Sequence, residues 1–132
     1  MKLVPGPRTS FMAGHWASGV AGHVEYGESV AAAAVREARE ELGITVAVED
    51  VEPLCVMQRT LPGCPDPVEQ RVDFFLTTRR WTGEPTPMEP EKCAELGWFR
   101  PAEPPHPMVP HEGRLLGLLA SGRVAPILSD GF

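Results

Sequence analysis

The sequence predicts an α/β domain in which helix and strand are mixed. Three observations carry this. The segment Ser29–Leu42 has helical periodicity between a start signal and a stop signal. The segments Ile44–Thr60 and Val68–Trp81 are rich in β-branched and aromatic residues, as strands are. The elements follow one another through 132 residues without a repeat or a dividing linker, so residues 1–132 are read as one domain.

Each element has its own warrant. Residues 1–21 are rich in Gly and Pro and read as loop, with a short extended piece near Lys2–Val4. In the helix, Ser29 is placed as the N-cap, four alanines follow Val30, and Gly43 stops it. The extended stretch after it has a break near Glu49–Pro53. Leu61–Pro67, LPGCPDP, is a turn or loop. Val68–Trp81 is the strongest strand in the chain. Thr82–Ala94 is a proline-broken acidic loop, ELGWF a short strand, PAEPPHPMVPHE a proline-rich connection, and GRLLGLLASG a final short helix.

Composition narrows the function. The formal net charge is −6, which repels nucleic acid and anionic membrane. No run approaches the ~18 apolar residues that a membrane helix needs. Pro5 and Pro7 interrupt any signal-peptide core. The three cysteines, Cys55, Cys64 and Cys93, form no CxxC pair and no zinc pattern with the four histidines. They read as reduced thiols in or near a core, and the protein as cytoplasmic.

The helix carries the chemistry. At 100° per residue, Val30, Ala31, Ala34, Val35, Ala38 and Leu42 span an arc of about 140°. Glu37, Glu40 and Glu41 span an adjoining arc of about 100°. Three carboxylates at the rim of a buried face repel one another in a partly dry setting. Arg36 can pair with Glu40 at i,i+4, but that relieves only a few tenths of a kcal/mol. Such a cluster is reasonable if a divalent cation sits on it. Mg²⁺ takes carboxylate oxygens and shares phosphates with a substrate. A solvated acidic face is the plainer alternative. The loop in front, with Gly22, Gly27 and Glu28, weighs against it, because glycines let a backbone approach a ligand closely.

These residues resemble the signature of the Nudix hydrolases, MutT-like proteins with the pattern G-x5-E-x7-R-E-U-x-E-E-x-G-U, U being apolar. Gly22, Glu28, Arg36, Glu37, Ala38, Glu40, Glu41, Gly43 and Ile44 fill every position of this box, which runs from Gly22 to Ile44. GHVEYGES is similar to the usual lead-in. RVDFFLTTRRWTGEP and EPEKCAELGWF resemble the later part of small bacterial relatives. The likeness covers roughly residues 8–120.

The resemblance implies a Nudix-type α/β/α sandwich around a mixed β-sheet. It implies hydrolysis of a nucleoside diphosphate linked to another group, of nucleoside triphosphate or nucleotide-sugar type, with Mg²⁺ or Mn²⁺. Glu37, Glu40 and Glu41 would be metal ligands, joined by the carbonyl of Gly22. Arg36 would orient the carboxylates and Glu28 would brace loop and helix. The base would be Glu40, Glu41 or a carboxylate of the acidic loop, where Glu91 is preferred over Glu89. The partner would be a small nucleotide, with no nucleic acid and no membrane involved.

The chain departs from the family in two places. The region before the box is short, which implies a shortened N-terminal strand region and a sheet edge that a homodimer could cover. The lead-in reads WASGVAG from Trp16 to Gly22, without the usual proline. These departures support the alternative of a nucleotide-binding sensor with little or no turnover. Arg71, Arg79 and Arg80 are read as phosphate contacts or surface pairs. Trp16 is a candidate for stacking on a base, and Phe74 and Phe75 are read as core. The four histidines show no paired arrangement.

Overall fold

The computed structural model describes residues 2–5, 14–93 and 95–132. Its elements are β1 (Lys2–Pro5), β2 (Trp16–Ser18), α1 (Val30–Leu42), β3 (Glu52–Arg59), β4 (Arg71–Thr77), β5 (Gly97–Trp98), α2 (Pro110–Ala120) and β6 (Ile127–Asp130). The expected loop at 6–13 lies outside the described residues.

α1 forms where its signals place it. Ser29 Oγ accepts from the Ala32 N–H at 3.1 Å. Gly43 takes the left-handed conformation, φ 65°, and returns its N–H to the Arg39 carbonyl. The buried side of the helix, Ala38 and Leu42, packs with Ile44 and Val46, and Val20, Val35, Val51 and Leu96 surround them.

Two three-stranded sheets stand in the order β2-β1-β5 and β4-β3-β6. The first is antiparallel throughout. The second is mixed, because β4 runs antiparallel to β3 and β6 runs parallel to it. Alternation sends Cys55 and Met57 of β3 inward, where they meet Leu128 of β6 and Leu115 of α2. On the other face, Val72, Phe74 and Ile127 are each more than half exposed. The core assignment therefore holds for Phe75, which packs in this cluster, and fails for its neighbour Phe74.

Several boundaries differ from the sequence reading. β4 begins at Arg71 and not at Val68, because Asp66 caps a 3₁₀ turn over Pro67–Glu69 by accepting from the Val68 N–H. α2 begins at Pro110, ahead of GRLLGLLASG, since proline suits the first position of a helix. Residues 16–18, read as loop, pair with β1. β6 was not anticipated. Its four residues form a strand through tertiary pairing with β3, which a short local sequence does not signal.

The acidic loop is docked against the C-terminal end of α1. Thr45 and Thr82 exchange backbone bonds, the Thr86 N–H donates to the Leu42 carbonyl, and the Met88 N–H donates to the Glu41 carbonyl. These donors satisfy carbonyls that the end of a helix leaves open.

Candidate active site

Arg36 is the hub of the box. Its Nε and Nη2 donate to both carboxylate oxygens of Glu28, at 3.1 and 2.8 Å. Its Nη1 donates to Glu37 at 2.8 Å and to Glu40 at 3.1 Å. Nη2 also donates to the carbonyl of His23 at 3.0 Å. The planar fork of arginine suits this many-handed contact. Glu28 in turn accepts from the Glu25 N–H at 2.7 Å, which bends the glycine-rich loop onto the helix. Arg36 and then the Glu25 amide hold the Glu28 carboxyl below the usual carboxylate range. The same partners, Glu28 first and then Glu37, make Arg36 harder to deprotonate.

So Arg36 relieves two of the three neighbouring glutamates. Glu41 has a different setting. One of its oxygens accepts from the Ala21 N–H at 3.0 Å. Burial pushes its pKa up to about 7, opposed by the Ala21 amide and reinforced by Glu37 and Glu89.

Glu37 lies directly on Gly22. A Cβ on Gly22 would fall 2.1 Å from the Glu37 carboxyl carbon and 2.1 Å from one of its oxygens. Only glycine leaves that space. The obstructing group is the far end of a flexible side chain, so Gly22→Ala displaces the carboxylate and not the backbone. We expect this variant to melt close to wild type. We expect it to bind metal roughly tenfold to a hundredfold more weakly, the usual cost of disturbing a metal site's surroundings. Calorimetric titration with Mn²⁺ beside a thermal melt checks both halves.

Of the two acidic-loop candidates, Glu89 is the one whose charge bears on Glu41. Lys92 Nζ bonds Glu89 at 2.8 Å, and Glu91 acts on Lys92. Glu91, the preferred candidate, reaches Glu41 only through Lys92, on which both act, so both loop carboxylates stay candidates. Other candidates fall at the surface or in packing. Arg80 faces Asp50 at 4.0 Å and Arg71 bonds the Val68 carbonyl. Trp16 meets Phe99 edge-on, with ring centres 5.0 Å apart. The three cysteines are free, with Cys55 buried. A shallow hollow of about 280 Å³ over Leu54, Val56, Phe74 and Pro126 involves none of the glutamates.

One polar cluster escaped the sequence reading. Glu112, in the first turn of α2, accepts from both the N–H and the Oγ of Ser18, at 2.6 and 3.0 Å. Its pKa is raised, chiefly by burial and against those two bonds. Arg59 pairs with Asp73 close by, and both act on Glu112. His111, tilted toward the Phe75 ring, has a lowered pKa, from burial first and then Arg59. A carboxylate two residues after Pro110 is a helix-start signal, and the surrounding prolines hid it.

Among the described residues no three acidic, His or Cys side chains already stand as a metal cage. The donor chemistry nevertheless fits a hard divalent cation. Glu37, Glu40 and Glu41 are neighbouring carboxylates on one helix, and Gly22 leaves its backbone open against Glu37.

Comparison with known proteins identifies the family. Residues 6–119 match the NUDIX domain family model. The chain is 30% identical to the MutT NUDIX hydrolase from Burkholderia pseudomallei, with a TM-score of 0.72, over 87% of this chain and 83% of that one. It shares the fold of the mutator MutT protein from Bacillus halodurans, at TM-score 0.69 and 23% identity over 96% and 76% of the two chains. It also shares the fold of a MutT structure from work on Aliivibrio salmonicida and Vibrio cholerae, at TM-score 0.67 and 21% identity over 92% and 86%. No curated protein sequence gives a significant match. The chain belongs to the NUDIX domain family. It is a Nudix pyrophosphohydrolase, a class that cleaves the pyrophosphate of nucleoside diphosphate derivatives.

Proposed function

We propose that the substrate is a nucleoside triphosphate or a nucleotide-sugar type compound, cleaved with Mg²⁺ or Mn²⁺ held by Glu37, Glu40, Glu41 and the Gly22 carbonyl. The observation that carries this reading is the Glu37 carboxylate seated on Gly22 and held there by Arg36. A bound divalent ion supplies the positive charge that neutralises the phosphates and favours attack by water. Arg36 fixes the directions of Glu37 and Glu40. Glu28 holds the loop so that Gly22 meets the helix. Glu40 or Glu41 takes the proton from water, or a carboxylate of the docked loop, Glu91 or Glu89, does. The protein's net charge of −6 suits a small metal-bound nucleotide and disfavours nucleic acid and anionic membrane. No helix among the described residues is long and apolar enough to cross a membrane.

Phosphate release from nucleoside triphosphates, ADP-ribose, sugar nucleotides and dinucleoside polyphosphates tests the reading. Each is run with Mg²⁺, with Mn²⁺ and with chelator. We expect turnover of at least one compound, lost on chelation. Tight binding of one compound without turnover of any would replace this reading with that of a nucleotide sensor.

A further inference from the structure

The arm from Trp16 to Gly22 is fastened at both ends. At its start, the Trp16 N–H donates to the Pro107 carbonyl at 2.8 Å, and the Val109 N–H donates to the Trp16 carbonyl at 2.9 Å. Two residues on, both donors of Ser18 converge on one oxygen of Glu112. At its far end, Ala21 donates to Glu41 and Gly22 lies against Glu37. Between these ends the sequence is SGVAG. It has no proline to stiffen it and two glycines to loosen it. Pairing of residues 16–18 with β1 and packing of Val20 against the helix core also hold the arm, and the Glu112 bonds are the polar fastening nearest its free stretch.

We propose that Glu112 is a positioning residue for the metal-binding glutamates, acting through Ser18 and the arm on Glu41 and Glu37. This rests on the metal-site reading above. Glu112 touches neither carboxylate. It holds the arm at Ser18, three residues before the amide that Glu41 uses and four before the glycine on which Glu37 sits. With that anchor gone, β1 and Val20 still hold the arm, but Ala21 and Gly22 meet the two glutamates at less closely fixed positions, and a cation must order them as it binds. The predicted defect is in metal affinity, and it begins before any substrate is present. Burial of Glu112 strengthens the case. A half-dry carboxylate that receives two hydrogen bonds from one residue fixes that residue firmly.

The test uses the full chain and Mn²⁺ alone, with binding followed by electron paramagnetic resonance in the absence of substrate. Hydrogen exchange of residues 18–22 is measured in chelator. Glu112→Ala should weaken Mn²⁺ binding roughly tenfold or more, and should speed exchange in the arm. Glu112→Gln keeps a carbonyl oxygen that can accept from Ser18 and should restore binding to near the wild-type value. Ser18→Ala removes one of the two bonds and should fall between them. Should Glu112→Ala not fold, Ser18→Ala carries the test alone. Unchanged Mn²⁺ binding in Glu112→Ala or Ser18→Ala overturns the proposal. So does Glu112→Gln as weak as Glu112→Ala, which would mean that the charge acts directly. Glu41→Gln separates the two levels. If it also binds Mn²⁺ like wild type, the metal-site reading itself fails. If it binds weakly while Glu112→Ala does not, only the positioning role fails.

Discussion

Glu41→Gln is expected to remove nearly all metal-dependent turnover and, in chelator at pH 8, to leave the protein more stable than wild type. The loss of rate should be roughly a thousandfold, because a catalytic metal contributes several kcal/mol of charge stabilisation and each ~1.4 kcal/mol is tenfold in rate. The gain in stability has a separate cause. The Glu41 carboxyl is half-buried beside Glu37 and Glu89, and its pKa rises from 4.5 to about 7. Between those values the folded state holds a proton there that the unfolded state has released. The contribution is therefore fully present below pH 4.5 and is lost as pH rises through about 7. Glutamine keeps the shape without the charge. It can still accept from the Ala21 N–H, and it does not titrate.

Melting temperatures from pH 5.5 to 8 in chelator check this. Wild type should lose stability along that range, and Glu41→Gln should lose less. The raised pKa of Glu112 works in the same direction in both proteins, so the difference between the two curves belongs to Glu41. Mg²⁺ should stabilise wild type at pH 8 and barely affect the variant. A variant that is inactive and less stable would mean that Glu41 is structural, and the metal-site reading would lose its central carboxylate. Stability given up for function at a strained charged site is a common pattern.

The contrast between Glu41 and Glu112 shows what the sequence could reveal. Glu41 was legible because helix periodicity is local: one residue every 100° fixes its angle to Val30 and Ala34 before any tertiary contact forms. The cap at Ser29 and the stop at Gly43 were legible for the same reason. Glu112 lies 94 positions from Ser18 in the chain, and no local pattern links them. The parallel pairing of β6 with β3 is also long-range, and it too was missed. Glu89 and Glu91 sit two apart in a loop without periodicity. The docking of Met88 on the Glu41 carbonyl, which brings this loop to the helix end, is a tertiary contact that no local pattern announces. The Arg36 pairing with Glu40 was readable from i,i+4 spacing. Its stronger grip on Glu28, eight residues back, needed the fold of the loop.

That grip leads to the largest effect expected on folding. Arg36→Met should lower the melting temperature of the chelated protein by several degrees, and Arg36→Lys should recover little of it. The guanidinium serves three carboxylates and a backbone carbonyl at once, with 25% of its side chain exposed. An ammonium is a point charge with no fork, so it cannot meet both oxygens of Glu28 in their plane while also reaching Glu37. Without Arg36, Glu28 and Glu37 stay four-fifths or more covered with no cation between them. Removing one partner of a covered ion pair costs more than the pair was worth, because the remaining charge is left dry. Arg39→Met is the control, since Arg39 stands on the exposed side of the same helix. It should melt like wild type. Equal losses in Arg36→Met and Arg39→Met would show that helix charge alone is at work and that the hub around Arg36 has no special role. A loss confined to Arg36 would locate the stability of the box in that one side chain.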